Sequence, residues 1–239
     1  MKKLYFSLRT ITRTIIYVSL VAIFLFLVEG CKKKTTWPEP DFILSYQTSQ
    51  GTYNQISQYR WGKNEDHQLI PEANVSWTNT PNRDSFLLDY TSYLKDKSGR
   101  PIIGIVIRKN FLSNQLDFPQ SGPPVVKNSD DFYNIFKTGK VSISANGQEG
   151  LNCTLHDSTL YLLQAFGPAY LDTANYFEIT TANQDVDFSS LHVQNIISTN
   201  SYRALMVTIN FKCKLFNSSL PTDSLILSNG VFQGYFIDR

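Results

Sequence analysis

The sequence predicts an all-β fold, an antiparallel β-sandwich with one short helix. Three observations predict it. Aromatic residues that suit half-buried pleated surfaces are abundant, with 13 Tyr and 16 Phe in 239 residues. Charged residues make up 18% of the chain, below the roughly one quarter usual for globular proteins. Apolar residues recur at every second position in several runs, while long stretches with apolar residues at helical spacing are missing. A closed or partly open β-barrel uses the same pattern and is the alternative architecture.

In chain order, the first segment is not part of that body. Residues 1–13 carry Lys2, Lys3, Arg9 and Arg13 without an acid, and an apolar block follows at 15–28, broken only by Tyr17 and Ser19. A bilayer-spanning helix needs about 20 apolar residues, so the shorter block reads as the core of a cleaved signal. Leu27, Val28 and Gly30 before Cys31 resemble the bacterial lipobox, with an aliphatic residue at the third position before the cysteine and a small one next to it. Glu29 departs from the small or uncharged residue usual there. The resemblance implies cleavage before Cys31 and attachment of Cys31 to a diacylglycerol, usually with N-acylation. Each buried methylene contributes about 0.8 kcal/mol, so several chains anchor a protein stably where one does not. The alternative is an uncleaved anchor helix flanked by Lys32, Lys33 and Lys34.

Residues 1–30 are therefore expected to be a lipoprotein signal peptide and 31–40 a lipidated cysteine with a flexible tether, extended by Pro38 and Pro40. Residues 41–239 form the β-sandwich domain, with a candidate sub-boundary near 125 in the loop GPPVVKNS. Removing residues 1–30 takes away four basic residues and Glu29, leaving 18 Lys and Arg against 19 Asp and Glu. A near-neutral mature chain gives no electrostatic basis for nucleic-acid binding. Lys32 directly after the anchor points to the outer membrane, by analogy with the aspartate that retains lipoproteins at the inner one.

The clearest strand is 205–216, where Val207, Ile209, Phe211, Cys213 and Leu215 alternate with Thr208, Asn210, Lys212 and Lys214. Similar alternation marks 86–94, 141–145 and 151–155. More evenly apolar runs at 101–107, 160–166, 176–180 and 225–237 read as central strands. In the last of these, Asn229-Gly230 reads as a two-residue hairpin turn. One helix is expected at 129–139, with Ser129 as N-cap, Asp130 and Asp131 favourable to its dipole, and Gly139 as its stop.

The segments GLNCTL, VTINFKCKLFNSS and SLILSNGVFQGYF resemble the end of small β-rich lipoproteins of Bacteroidetes that carry domains of unknown function. Those chains often close with a strand, a polar break and a TNG-F type hairpin, which SNGVF at 228–232 matches. The resemblance covers about the last quarter of the mature chain. It implies a sandwich-like lipoprotein and no particular activity.

Cys153 and Cys213 remain as an even pair in an exported chain and are a candidate disulfide; the alternative is two small buried hydrophobes. His67, His156 and His192 are far apart, and no metal-binding, nucleophile-elbow or phosphate-loop motif is present, so the sequence calls for no catalytic residue, metal or cofactor. His156-Asp157-Ser158 is not a triad, because adjacent residues point in different directions. Tyr59, Trp61 and Trp77 stand near amide and acidic residues and make a candidate ligand face, suited to stacking on sugars; ordinary core packing is the competing reading. Asp157-Ser158-Thr159, Asp172-Thr173-Ala174 and Asp223-Ser224-Leu225 resemble the O-glycosylation acceptor pattern of Bacteroidetes, making Ser158, Thr173 and Ser224 candidate modification sites. Together these readings give a lipid-anchored cell-envelope protein with a non-catalytic binding or assembly role toward a protein or glycan partner. A surface carbohydrate-binding module is the alternative, and a hydrolase of unrecognised type ranks third.

Overall fold

Alternating apolar residues put one face of many strands against a shared core. The structure is a computed structural model that describes residues 41–58, 69–79, 84–120, 122–144, 148–156, 162–164, 175–184, 186, 203–217 and 224–238, all within one compact unit, Pro38–Arg239. The elements are β1 (Asp41–Thr48), β2 (Gly51–Gln58), β3 (Ile70–Asn79), β4 (Ser85–Lys95), β5 (Pro101–Leu112), a 3-10 turn (Ser113–Gln115), β6 (Leu116–Asp117), β7 (Val125–Val126), helix α1 (Ser129–Ile135), β8 (Gly139–Val141), β9 (Gly150–His156), β10 (Leu162–Gln164), β11 (Tyr176–Asn183), β12 (Arg203–Asn217) and β13 (Ser224–Asp238).

Eleven strands form one antiparallel sheet in the order β2-β1-β13-β12-β10-β9-β5-β4-β3, with β11 pairing β12 and β8 pairing β11. The long β12 offers one edge to β13 and divides the other between β10 near Asn217 and β11 near Met206. The sheet folds over so that β13 lies against β3 and β4. At Gly234 the approach is so close that a Cβ would stand 2.5 Å from Ser92 Oγ. The result is the predicted all-β sandwich with one short helix; among the described residues β2 and β3 end the strand order unpaired, so the sheet does not close into a barrel. Phe42, Leu88, Tyr90, Ile105, Phe177, Val207, Phe211, Phe232 and Phe236 belong to one continuous buried core.

Strands β4, β9 and β12 cover runs expected from alternation, and β5, β11 and β13 cover runs expected as evenly apolar strands. Three local expectations need correction. Asn229-Gly230 is not a hairpin turn, because β13 runs unbroken from Ser224 to Asp238. Asn229 takes a positive φ of 48°, and two residues there oppose one on both neighbours, with Gly230 facing Phe211 but Leu227 facing Cys213, and Val231 facing Ser45 but Ser228 facing Gln47. The left-handed asparagine thus makes a bulge shared by β12 and β1, and the terminal hairpin is formed by β12 with β13. The helix is capped by Asn128 instead of Ser129, since the Asp130 N–H donates to Asn128 Oδ1 at 3.0 Å; it ends at Ile135, and Gly139 opens β8. The strand expected at 141–145 stops at Val141, after which the chain turns onto β9 through a parallel bridge between Ile143 and Leu151. Gly150 permits that approach: it has φ +136°, and a Cβ would stand 2.7 Å from Ser142 O.

Candidate functional site

The candidate site is the end of the β3-β4-β5 layer. Along β3, Pro71, Ala73 and Val75 point into the core and are buried, and the next residue in that phase is Trp77, which is 46% exposed. Register carries the row across the sheet, from Trp77 to Leu88 on β4 and on to Lys109 on β5. Neighbouring strands lie about 4.8 Å apart, so Trp77 and Lys109 flank Leu88 and stand roughly 10 Å from each other. One step nearer the rim, Phe86 faces Phe111, and the Phe86 and Phe118 rings meet at 4.9 Å between centroids. Phe118 and Leu112 are each 54% exposed. The core therefore runs out to solvent here as an apolar rim.

Helix α1 makes the opposite wall. Its Phe132 and the following Phe136 are buried against Tyr90, with ring centroids at 5.5 and 6.2 Å, and Phe136 continues to Phe236 at 4.8 Å. That spacing turns Asp131 and Asn134 outward over β5. Between them lies an open pocket of about 410 Å³, floored by Phe111 and edged by Lys109, Asn110, Gln115, Asp131 and Asn134. Its polar groups are a carboxylate, an ammonium and three amides, a set that donates to and accepts from neutral hydroxyl or amide ligands.

Two ion pairs set this end. Lys109 Nζ donates to Glu149 Oε2 at 2.8 Å, and the Asn110 N–H donates to Glu149 Oε1 at 2.9 Å. Partial burial pushes the Glu149 carboxyl up, but those two hydrogen bonds and the Lys109 charge together hold it below the ordinary carboxylate range. Behind α1, Arg203 donates to Asp238 and to the Val126 carbonyl, and its guanidinium lies 5.8 Å from the centre of the Phe132 ring. One arginine thereby ties β7 and α1 to the paired ends of β12 and β13. Asp238 is fully buried, and burial outweighs Arg203 and the Val126 N–H to raise its carboxyl to about 6. Among the described residues, no group of three or more His, Cys, Asp or Glu converges as a metal site.

Of the residues singled out in the sequence, Trp77 stands at this rim. Tyr59, Trp61, Cys31, Ser158 and Thr173 lie outside the described residues. Ser224 is exposed at the first position of β13. Cys153 and Cys213 are free and buried, on strands β9 and β12, which approach each other directly. Hydrogen bonding to Cys153, then burial, raises the Cys213 thiol well above its ordinary range. Sequence reasoning did not find the pocket, since Lys109, Asn110, Asp131 and Asn134 come from two segments 21 residues apart. The one available signal was the polar i, i+3 pair Asp131 and Asn134 opposite the apolar Phe132 and Phe136.

Among the described residues, no helix is long and apolar enough to cross a membrane. Compared with protein-family models, with curated proteins and with solved structures, the chain matches none.

Proposed function

We propose that this chain is a lipid-anchored protein of the cell envelope, held through Cys31 at the outer membrane, with a non-catalytic binding role exercised at the rim of Trp77 and α1. The observation that carries the binding role is Trp77 itself. It continues a buried row yet is left half-exposed, two strands in register from Lys109 at the edge of a pocket that holds three amides. A large aromatic in that position gains contact area when a ligand covers it.

A surface carbohydrate-binding role is the second reading, favoured by the combination of a stackable indole with Asn110, Gln115, Asp131 and Asn134. Rings cover the apolar faces of sugars, and amides and carboxylates take their hydroxyls. The experiment is titration calorimetry of the full chain against neutral oligosaccharides and uncharged peptides. A bound ligand should lose at least about tenfold in affinity with Trp77→Ala, the scale of a central aromatic contact, and should also weaken with Asn134→Ala. Binding that both variants leave unchanged would place the ligand elsewhere. Both thiols are free in the structure, and Cys153 and Cys213 are proposed to pair only on oxidation of the exported chain, read as a gain of ~2 Da on reduction.

A further inference from the structure

We infer that the tip of the β3-β4-β5 layer is a membrane-contact surface, at which Leu112, Phe118 and the Phe86 ring behind them enter the lipid layer that holds the N-terminal side of the chain. The inference rests on the membrane attachment proposed above and adds to it the orientation of the domain.

The tip is apolar on both sides. Phe118 lies against Phe86 on the core side of the layer, while Leu112, one residue past the inward Phe111, turns to the outer side. Both are more than half exposed. A protein partner covers one side of such a tip, whereas a lipid layer surrounds it. Among the described residues, the large exposed apolar side chains elsewhere, Ile56, Tyr176 and Ile226, stand singly on β2, β11 and β13.

Strand register shows where the tether joins. Followed from β5 through β9, β10, β12 and β13 to β1, the pairings put Leu112 and Asp41 toward the same end of the sheet. Contacts between the layers agree. Gly234 sits against Ser92, and Phe136 joins Phe236 to Tyr90, so β13 toward Asp238 runs alongside β4 toward Ser85. Strand β1 begins level with Tyr235, since Ile43 faces Gln233. The tip therefore stands roughly 15–20 Å beyond Asp41, at about 3.3 Å per residue. Residues 31–40 precede Asp41 and reach at most about 35 Å, enough for Cys31 and the tip to share one membrane surface. The turns described at the opposite end, 48–51 and 96–100, carry only polar or charged side chains and glycine.

Asp84, Asp117 and Glu149 stand near the tip with Lys109 and Lys127, so this end has no excess of positive charge to draw it to anionic headgroups. Contact is by apolar burial in a zwitterionic layer, to the depth of about 5–10 Å that interfacial segments reach. Trp77, level with Leu88 and set back from Phe86, then stays among the headgroups, where indoles concentrate.

The test is nitroxide labelling of the full chain, purified from membranes of a bacterial host and reconstituted in phosphatidylcholine vesicles. Phe118→Cys and Leu112→Cys carry labels at the tip, Thr52→Cys carries one at the opposite end, and wild type controls for the native cysteines. Oxygen should relax the labels at 118 and 112 several-fold more strongly than a water-soluble nickel chelate does, with the order reversed at 52. Labels at 118 and 112 that behave like the one at 52 would overturn the inference. Protection from both reagents would also overturn it, because a protein would then cover the tip. Intact mass of the same samples reports the anchor separately. Lipid on Cys31 with an aqueous tip keeps the anchor and removes the contact, whereas a lipid-exposed tip on a chain without lipid keeps the contact and removes the anchor. A second measurement needs no cysteine variant: lipid brominated near the headgroup should quench tryptophan fluorescence by a larger fraction in wild type than in Trp77→Phe. Equal fractions would contradict the contact even if a labelled variant failed to fold.

Discussion

Asp238 closes the last residue pair of the β12-β13 ladder opposite Arg203, and its side chain has no exposure. Burial raises its carboxyl from the ordinary value to about 6 despite the arginine. A carboxyl raised in this way holds its proton more tightly when folded. Its contribution to stability is complete below its unfolded value, near pH 4, and is lost as pH rises through about 6. Relative to Asp238→Asn, wild type should therefore lose about 2–3 kcal/mol between pH 4 and 7, read from urea midpoints across that range. A difference that stays flat with pH would mean that Arg203 fully offsets the burial. At this scale the sequence was partly legible. The phase of Val207, Ile209, Phe211 and Cys213 announced which side chains are buried, and all four are. Burial of Asp238 was not, because it depends on Arg203 lying 35 residues away.

Elements were legible where alternation was strong and hidden where it was weak. β12 and β4 carry long alternating runs, and the sequence located both. β1, β2 and β3 went unmarked. In β2 the only buried side chain among those described is Ser57, so the strand has no apolar period to detect. The Asn-Gly pair misled for a different reason: a left-handed residue serves a turn and a bulge equally well, and only the neighbouring strands decide which. Helix α1 was found with its cap displaced by one residue. Asn128 satisfies a backbone donor at the helix start, so Asn128→Ala should cost about 1 kcal/mol in chemical denaturation. The same variant should weaken any ligand of the pocket, because α1 carries Asp131 and Asn134. Ser129→Ala should leave stability nearly unchanged, which separates the two cap assignments.

For the molecule as a whole, composition and strand spacing pointed to the antiparallel all-β sandwich, and the structure removes the barrel that stood as its alternative. The distinction depends on how a single sheet folds over, with β13 set against β3 and β4 and, among the described residues, no strand pairing the outer edge of β2 or β3. The pocket was closed to sequence reading, being assembled from β5 and α1 only after folding. The proposed role joins this body to a tether and a lipid at Cys31, and that junction is its central claim. The most direct measurement is the intact mass of the full-length product extracted from membranes of a bacterial host. The account expects residues 31–239 plus a diacylglycerol and an acyl group. A mass matching residues 1–239 without lipid would contradict it, and would make the N-terminal apolar block an uncleaved anchor.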